Sequence, residues 1–316
     1  MLTNVPSAVE LNEIALRLYF DAWHQTMVII RNFMNFNDSS KYPWGNGAPY
    51  ADEWNDYLDQ AQSELGAIAA TAQQSAEIRL KAIICETSPF ILLMKNDIKL
   101  KSSGGDIDFA DQRTLDAADL PAAVNTLTPF PLAASYVKSY SELRRLRNRV
   151  MHTGLHQIRL EPQKLVQTLS EQYVALWPEG RWLFHRVKFD GNSASSYFVD
   201  GRYSSIHSAV MEELPYTTAV FDNKLFKKCI GTTKSSLKGH CPVCKSHTAS
   251  KGGSETKPTA SRNDASNAKC YMCESDLKLI ANDTPCDCGS DIWANGPNDN
   301  EPCCFVCGQF WKYISE

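Results

Sequence analysis

A chain of 316 residues, 43% hydrophobic and 22% charged, has enough apolar material for a sizeable core, and its N-terminal two-thirds alone can build one. A formal net charge of -4 excludes a generally basic coat for nucleic acid, so any such binding must rest on local patches such as Arg144, Arg145, Arg147 and Arg149. The start, Met1 to Pro6, has neither the basic nor the apolar segment of a secretory signal, and the longest apolar stretch, Leu80 to Met94, is interrupted by Lys81, Glu86 and Pro89. The expectation is a cytoplasmic chain with no membrane partner, in which closely spaced cysteines mean metal rather than disulfide.

In chain order, residues 7–36 read as one long helix with Leu11, Ile14, Ala15, Leu18, Tyr19 and Trp23 on one face. A Gly/Pro-rich break follows, then a second long helix from about Asp52 to about Cys85, with Trp54, Leu58, Leu65, Ile68 and Ala69 near one stripe and Pro89 as its terminator. Phe90 to Leu93 reads as buried. Residues 101–131 form a long connection with a short helix after Asp116. The next helix runs from near Ala133 to a cap at Gly154, its apolar side made of Tyr136, Tyr140, Leu143, Val150 and Met151. One more spans Pro162 to Trp177.

After Pro178 the pattern suggests strands at 182–189 and 196–199 around a turn at Asp190-Gly191-Asn192, then a short helix near Ile206 to Glu213. Residues 248–269, rich in Ser, Thr, Ala and Lys without an apolar anchor, read as a flexible loop. The expected organisation is mainly α: a helical domain at 1–178, a small α+β segment at 179–235 and a Cys-rich zinc-binding module at 236–316.

The candidate chemistry lies in Arg147-Asn148-Arg149-Val150-Met151-His152. Cleaving RNA without a metal requires a base to take the ribose 2′-OH proton and a cation to stabilise charge on the phosphate. Histidine exchanges a proton near neutral pH, arginine offers phosphate a planar fork of donors, and the Asn148 amide can orient either partner. On a regular helix, positions five apart differ by about 140° in azimuth. Arg147 and His152 therefore share a site if the helix end distorts, or if two copies of the helix face each other. Arg147 also falls inside the stripe of Tyr140, Leu143 and Met151, which suits a buried pair or an interface. Arg202 and His207 repeat the spacing by chance. Arg31-Asn32 begins a similar hexad that ends in Phe36 and so lacks the base.

The segment Leu143 to Gly154 resembles the signature helix of the HEPN superfamily, whose motif is Arg-polar-x3-His. Ala82 to Leu93 looks like that family's second helix and its exit, and Asp108 to Leu120 like the connection before the motif helix. The likeness covers about 80–155 well, 1–80 by helical character only, and not 180–316. It implies a four- or five-helix bundle that dimerises through the motif helix, with Arg147, Asn148 and His152 in a composite site. It implies metal-independent RNA cleavage leaving a 2′,3′-cyclic phosphate; the expected substrate is RNA, such as tRNA or another structured RNA. Members often act as toxins or in antiphage defence and abortive infection; a phage or host trigger is a further expected partner of this chain, read by its cysteine module. An acidic residue on the second helix is common in the family, and Glu77 or Glu86 can fill that place.

Nine of the eleven cysteines fall in the tail. Cys241-Pro-Val-Cys244 and Cys270-Tyr-Met-Cys273 are two knuckles, and Cys286-Asp-Cys288-Gly289 and Cys304-Phe-Val-Cys307-Gly308 two further half-sites. Such turns aim two thiolates at one ion, and tetrahedral Zn²⁺ takes four. Sequential pairing gives two structural zinc sites, Cys241, Cys244, Cys270 and Cys273, then Cys286, Cys288, Cys304 and Cys307. A competing scheme joins Cys270 and Cys273 to Cys286 and Cys288; Cys303 can replace Cys304, and His240 or His247 can replace Cys288. Cys85 and Cys229 read as structural or incidental. Lys227, Lys228, Lys234, Lys238 and Lys245 supply charge near the module, and Tyr271, Trp293, Phe305, Phe310 and Trp311 either stack on bases or fill a thin core.

Three functions thus compete: a metal-independent endoribonuclease, a non-catalytic helical protein that binds RNA or nucleotide, and a dimeric zinc-ribbon adaptor.

Overall fold

The computed structural model describes residues 2–37, 50–94, 105–153, 158–191, 206–249, 256–281, 283–297 and 301–310. The chain divides into two compact units, Met1–Leu176 and Trp177–Glu316.

The first unit is helical. Helix α1 (Ala8–Phe36) starts where the Ser7 hydroxyl accepts a hydrogen bond from the Glu10 N–H. Its buried stripe includes Ala15, Tyr19, Trp23, Met27 and Ile30; Ile14, expected inward, is 46% exposed. The expected second helix is two, α2 (Ala51–Gln60) and α3 (Gln62–Thr87). The junction is used for tethering: Gln62 Nε2 donates to the Leu160 carbonyl at 3.1 Å, and the Leu160 N–H donates to Gln62 Oε1 at 2.7 Å. Helix α3 ends at Thr87, and Pro89 opens a short 3-10 turn, Pro89–Leu93, capped by the Ser88 hydroxyl. Leu92 and Leu93 are buried there, but Phe90 is 57% exposed, because the single turn has only one inward face.

Two short strands the sequence pattern does not reveal, β1 (Leu2–Thr3) and β2 (Ile107–Asp108), pair in parallel. Helix α4 (Leu120–Leu127) packs on α3. Helix α5 (Ala134–Thr153) lies against α3 and α6 (Pro162–Leu176), burying Tyr136, Tyr140 and Leu143. Gly154, the expected cap, lies outside the described residues. Ser75 ties three helices together: its hydroxyl donates to the Ala15 carbonyl at 2.7 Å and accepts from Gln172 Nε2 at 3.3 Å.

In the second unit, α7 (Trp182–Gly191) replaces the strand expected at 182–189, and Asp190 and Gly191, expected in a turn, end that helix, while Asn192 lies outside the described residues. Trp182, Leu183, Arg186 and Phe189 are buried at spacings that fit one helical face. The strand expected at 196–199 lies outside the described residues. Helices α8 (Ile206–Val220) and α9 (Asn223–Ile230) follow, so the described part of 179–235 is helical rather than α+β. Helix α10 (Pro242–Ala249) precedes an antiparallel sheet in the order β3 (Ala260–Arg262), β4 (Asn267–Cys270), β5 (Asp276–Ala281), β6 (Ile292–Asn295), β7 (Cys303–Cys304). Of the expected loop at 248–269, residues 250–255 lie outside the described residues, and β3 and most of β4 stand in the remainder. Their anchors are Ala260 and Ala268, 0% and 1% exposed, too small to register as apolar in the pattern. No helix among the described residues is long and apolar enough to cross a membrane.

A buried ion pair joins α7 to α8: Arg186 Nη2 stands 3.1 Å from Glu213 Oε2, with side chains 2% and 3% exposed. Removing one partner takes from the other, still buried, its countercharge at this contact, whereas replacing both by apolar groups removes both charges. Glu213→Ala is therefore expected to destabilise this unit by about 3–5 kcal/mol, and Arg186→Met with Glu213→Leu by much less. Urea unfolding of the single and double variants measures the difference.

Candidate functional site

Helix α5 carries the hexad on the part of its length that the core does not cover. From Arg144 to His152 no described side chain is buried, whereas Tyr136, Tyr140 and Leu143 are. Val150 is half-buried and Met151 is 62% exposed, so neither continues the core stripe as the pattern suggests. The stripe runs on past the point where α3 and α6 cover it.

Within the hexad, Arg147 Nη1 donates to Asn148 Oδ1 at 3.2 Å, and both side chains are half-buried. This bond turns the Asn148 carbonyl oxygen toward the guanidinium. His152 is exposed, one helical turn beyond Asn148. The helix is continuous through Thr153, so Arg147 and His152 sit on different azimuths. Distortion of the described helix end does not bring them together.

Of the two candidate carboxylates, Glu77 is the one on the α5 side of α3. It accepts from Lys81 Nζ at 2.9 Å and Gln73 Nε2 at 3.3 Å. Burial pushes the Tyr140 phenol well above its ordinary range, and the nearby Glu77 charge pushes the same way. Glu86 instead accepts from Arg79 Nη1 at 2.9 Å and borders an open depression of about 290 Å³ formed by Ile83, Glu86, Thr87, Thr128, Pro129 and Phe130. No hexad residue lines that depression.

In the second unit the sulfurs of Cys241, Cys244, Cys270 and Cys273 form one group and those of Cys286, Cys288, Cys304 and Cys307 another, each with all atoms within 4.8 Å. Either group can hold a metal ion. The short separations are 3.7 Å for Cys241–Cys273 and Cys244–Cys270, 3.5 Å for Cys286–Cys307 and 3.6 Å for Cys288–Cys304. A tetrahedron of sulfurs around Zn²⁺ has edges of about 3.8 Å, from a Zn–S bond of about 2.3 Å. This is the sequential grouping, and the sheet imposes it. Strand β4 ends at Cys270 while β7 holds Cys304, with β5 and β6 between them.

The knuckles share a local device. The residue after each of three half-sites has a left-handed backbone: Glu274 at φ 61°, Gly289 at φ 82° and Gly308 at φ 75°. Glu274 adopts it without glycine's freedom, and its carboxylate is held by the Arg181 guanidinium through both Nε and Nη2. That pairing also keeps the carboxyl below its usual range.

The alternative ligands lie elsewhere. Cys303 is buried beside Cys304, and burial pushes its thiol up to about 12. Burial likewise raises Cys85 to about 11 and Cys229 to about 12, so these thiols stay protonated. His240 Nδ1 is 3.0 Å from Thr256 Oγ1, and the His247 ring stacks on His207 at 4.7 Å. Trp293, Phe305 and Phe310 are buried and fill the module's core, which leaves Tyr271 half-buried as the accessible aromatic among those described. Trp311 lies outside the described residues. Lys227, Lys228 and Lys238 are exposed, while Lys245 Nζ sits 4.8 Å from the Phe310 ring centre.

Comparison with protein-family models, with curated proteins and with solved structures returns no match.

With two complete groups of four sulfurs, the purified chain is expected to carry two metal ions. Elemental analysis finding one ion or none counts against that arrangement. Stripping the metal should reduce ellipticity and stability, since thiolates drawn to a shared cation close loops that a small sheet cannot close alone.

Proposed function

We propose that this protein is a metal-independent endoribonuclease of the HEPN type, active as a homodimer, with two structural zinc ions in its C-terminal module. The observation that carries the reading is the exposed end of α5, where Arg147, Asn148 and His152 stand clear of the core beside the exposed Met151. An amphipathic stripe that outlasts its own core calls for a second surface, and a second copy of the same helix supplies one by two-fold symmetry. The azimuthal gap between Arg147 and His152 then ceases to be an obstacle, because each site takes residues from both helices.

In the proposed reaction, His152 accepts the proton of the ribose 2′-OH as that oxygen attacks the adjacent phosphorus. The Arg147 guanidinium neutralises charge building on the non-bridging oxygens, and Asn148 holds the guanidinium through the contact already in place. As the 2′-O–P bond forms, the P–O5′ bond breaks, the departing 5′-oxygen takes a proton from water, and a 2′,3′-cyclic phosphate remains. Glu77 holds Gln73 and Lys81 of α3 beside Tyr140 of the motif helix. No step involves a metal. Four thiolates saturate tetrahedral zinc and leave no open position for water, so the module's ions would act structurally. Its further role is recognition of the RNA, a structured one such as tRNA, or of a phage or host trigger in defence.

The test is cleavage of a short RNA oligonucleotide and of tRNA in excess EDTA. His152→Ala should lower the rate by about 10²–10⁴, the usual worth of general acid–base catalysis, and Arg147→Ala by about 10²–10³, the usual worth of a charge-stabilising donor. Asn148→Ala should give an intermediate loss, and helical circular dichroism should stay near wild type in all three. Cleavage at the wild-type rate by folded His152→Ala would falsify the mechanism. RNA binding without cleavage by the wild type would favour the non-catalytic reading instead. Sedimentation should give a dimer at micromolar concentration, and an active monomer would exclude the composite site.

A further inference from the structure

The two sulfur groups differ in exposure. In the first, Cys241, Cys244 and Cys270 are buried and Cys273 is half-buried; in the second, Cys288 and Cys307 are exposed. A competing ligand reaches exposed thiolates directly but reaches buried ones only after the fold opens.

The groups are also fastened together by residues that ligate nothing. Phe305 lies inside the Cys304–Cys307 knuckle, and Gly239 and His240 immediately precede Cys241. The Phe305 ring rests directly on Gly239: a Cβ built there would lie 2.0 Å from one ring carbon and 2.1 Å from another. The His240 N–H donates to the Phe305 carbonyl at 2.9 Å. Gly308, which follows Cys307, packs so closely on His240 that a Cβ would stand 2.6 Å from its Nδ1. Gly239 also bridges to Ala260, and Ala260 pairs with Cys270. Both halves of the buried group are thus braced by one segment, Gly239-His240, which the knuckle of the exposed group holds in place.

The geometry points to a metal-loading hierarchy in which the exposed group is the exchangeable site and its occupancy, transmitted through Phe305, sets the affinity of the buried group. The inference rests on the reading that both groups take metal. An ion bound by Cys304 and Cys307 cross-links the ends of the turn that presents Phe305. With the turn closed, the ring covers Gly239 and the His240 N–H keeps its acceptor, so Cys241 and Cys244 are held where a tetrahedral ion needs them. With the turn open, the buried site must order that segment at its own cost, and affinity falls. Coupling of this kind is reciprocal in binding free energy, but exposure makes exchange begin at the outer site.

The experiment uses the full-length chain, stripped and titrated with Co²⁺, following thiolate-to-cobalt absorbance, and the zinc-loaded chain challenged with a chromogenic chelator. Cys288→Ser removes a ligand from the exposed group alone and is expected to weaken Co²⁺ binding at the remaining group at least about tenfold, a coupling of ordinary size. Phe305→Ala and Gly239→Ala keep all eight thiols. Both should still take up two ions, with the buried site weakened by a similar factor, Gly239→Ala because its methyl group displaces the same ring. In the wild type, the chelator should remove one ion quickly and the other slowly. The coupling is overturned if Cys288→Ser leaves the remaining site at wild-type affinity, or if Phe305→Ala and Gly239→Ala bind both ions as the wild type does. Release of both ions at one rate overturns the ordering. A wild-type chain that takes up no Co²⁺ or Zn²⁺ overturns the metal reading itself, a result distinct from two ions bound independently.

Discussion

Four sulfur atoms within 4.8 Å of one another repel as thiolates unless a shared positive charge lies between them. The second unit is arranged around two such clusters. Its strands are two to six residues long, and its apolar filling amounts to side chains such as Trp293, Leu277, Leu279 and Phe310. A sheet this small buries too little to offset the entropy of ordering its loops, so cross-links through metal are the natural supplement. The left-handed residues after the knuckles, the Arg181–Glu274 pair and the Phe305–Gly239 contact all serve the same end: they bring cysteines that are distant in sequence to one point.

The first unit solves a different problem. Its stability comes from long helices with continuous buried stripes, sewn together by a few internal hydrogen bonds such as those of Ser75 and Gln62. That scaffold is rigid enough to project the last turns of α5 beyond its own core. Arginines at 144, 145, 147 and 149 cannot be buried without partners, and placing them past Leu143 leaves them where phosphate can reach them. The Arg147–Asn148 contact fixes the orientation of the guanidinium, which would reduce the ordering left for binding in the proposed reaction.

The proposed chemistry and the metal sites make different demands on their surroundings. A ribonuclease site needs an exposed base and a cation with free donors, so it gains from lying at the edge of a bundle. A structural metal site needs excluded water and saturated ligands, so it gains from enclosure. The residues proposed for these two roles lie in separate compact units, and of the two sulfur groups one is mostly buried while the other has two exposed members.

The sequence by itself determined the first long helix and the helical character of 52–85, the stop at Pro89, the helix that bears Arg147 to His152 and the cysteines able to meet a metal. Those features rest on local rules: helical periodicity, proline's missing N–H, and knuckle spacing. Only the tertiary structure decided which way Trp182 to Phe189 would fold, since a short apolar run suits strand or helix equally and the partner of Arg186 lies on another element. It decided that 260–270 would be strands, because Ala260 and Ala268 become anchors only once neighbouring strands cover them. It left Phe90 and Met151 exposed, since burial depends on how far the neighbouring helices extend. It also settled which cysteines stand together, because antiparallel register carries β4 and β7 to separate clusters, a non-local pairing that spacing along the chain cannot encode.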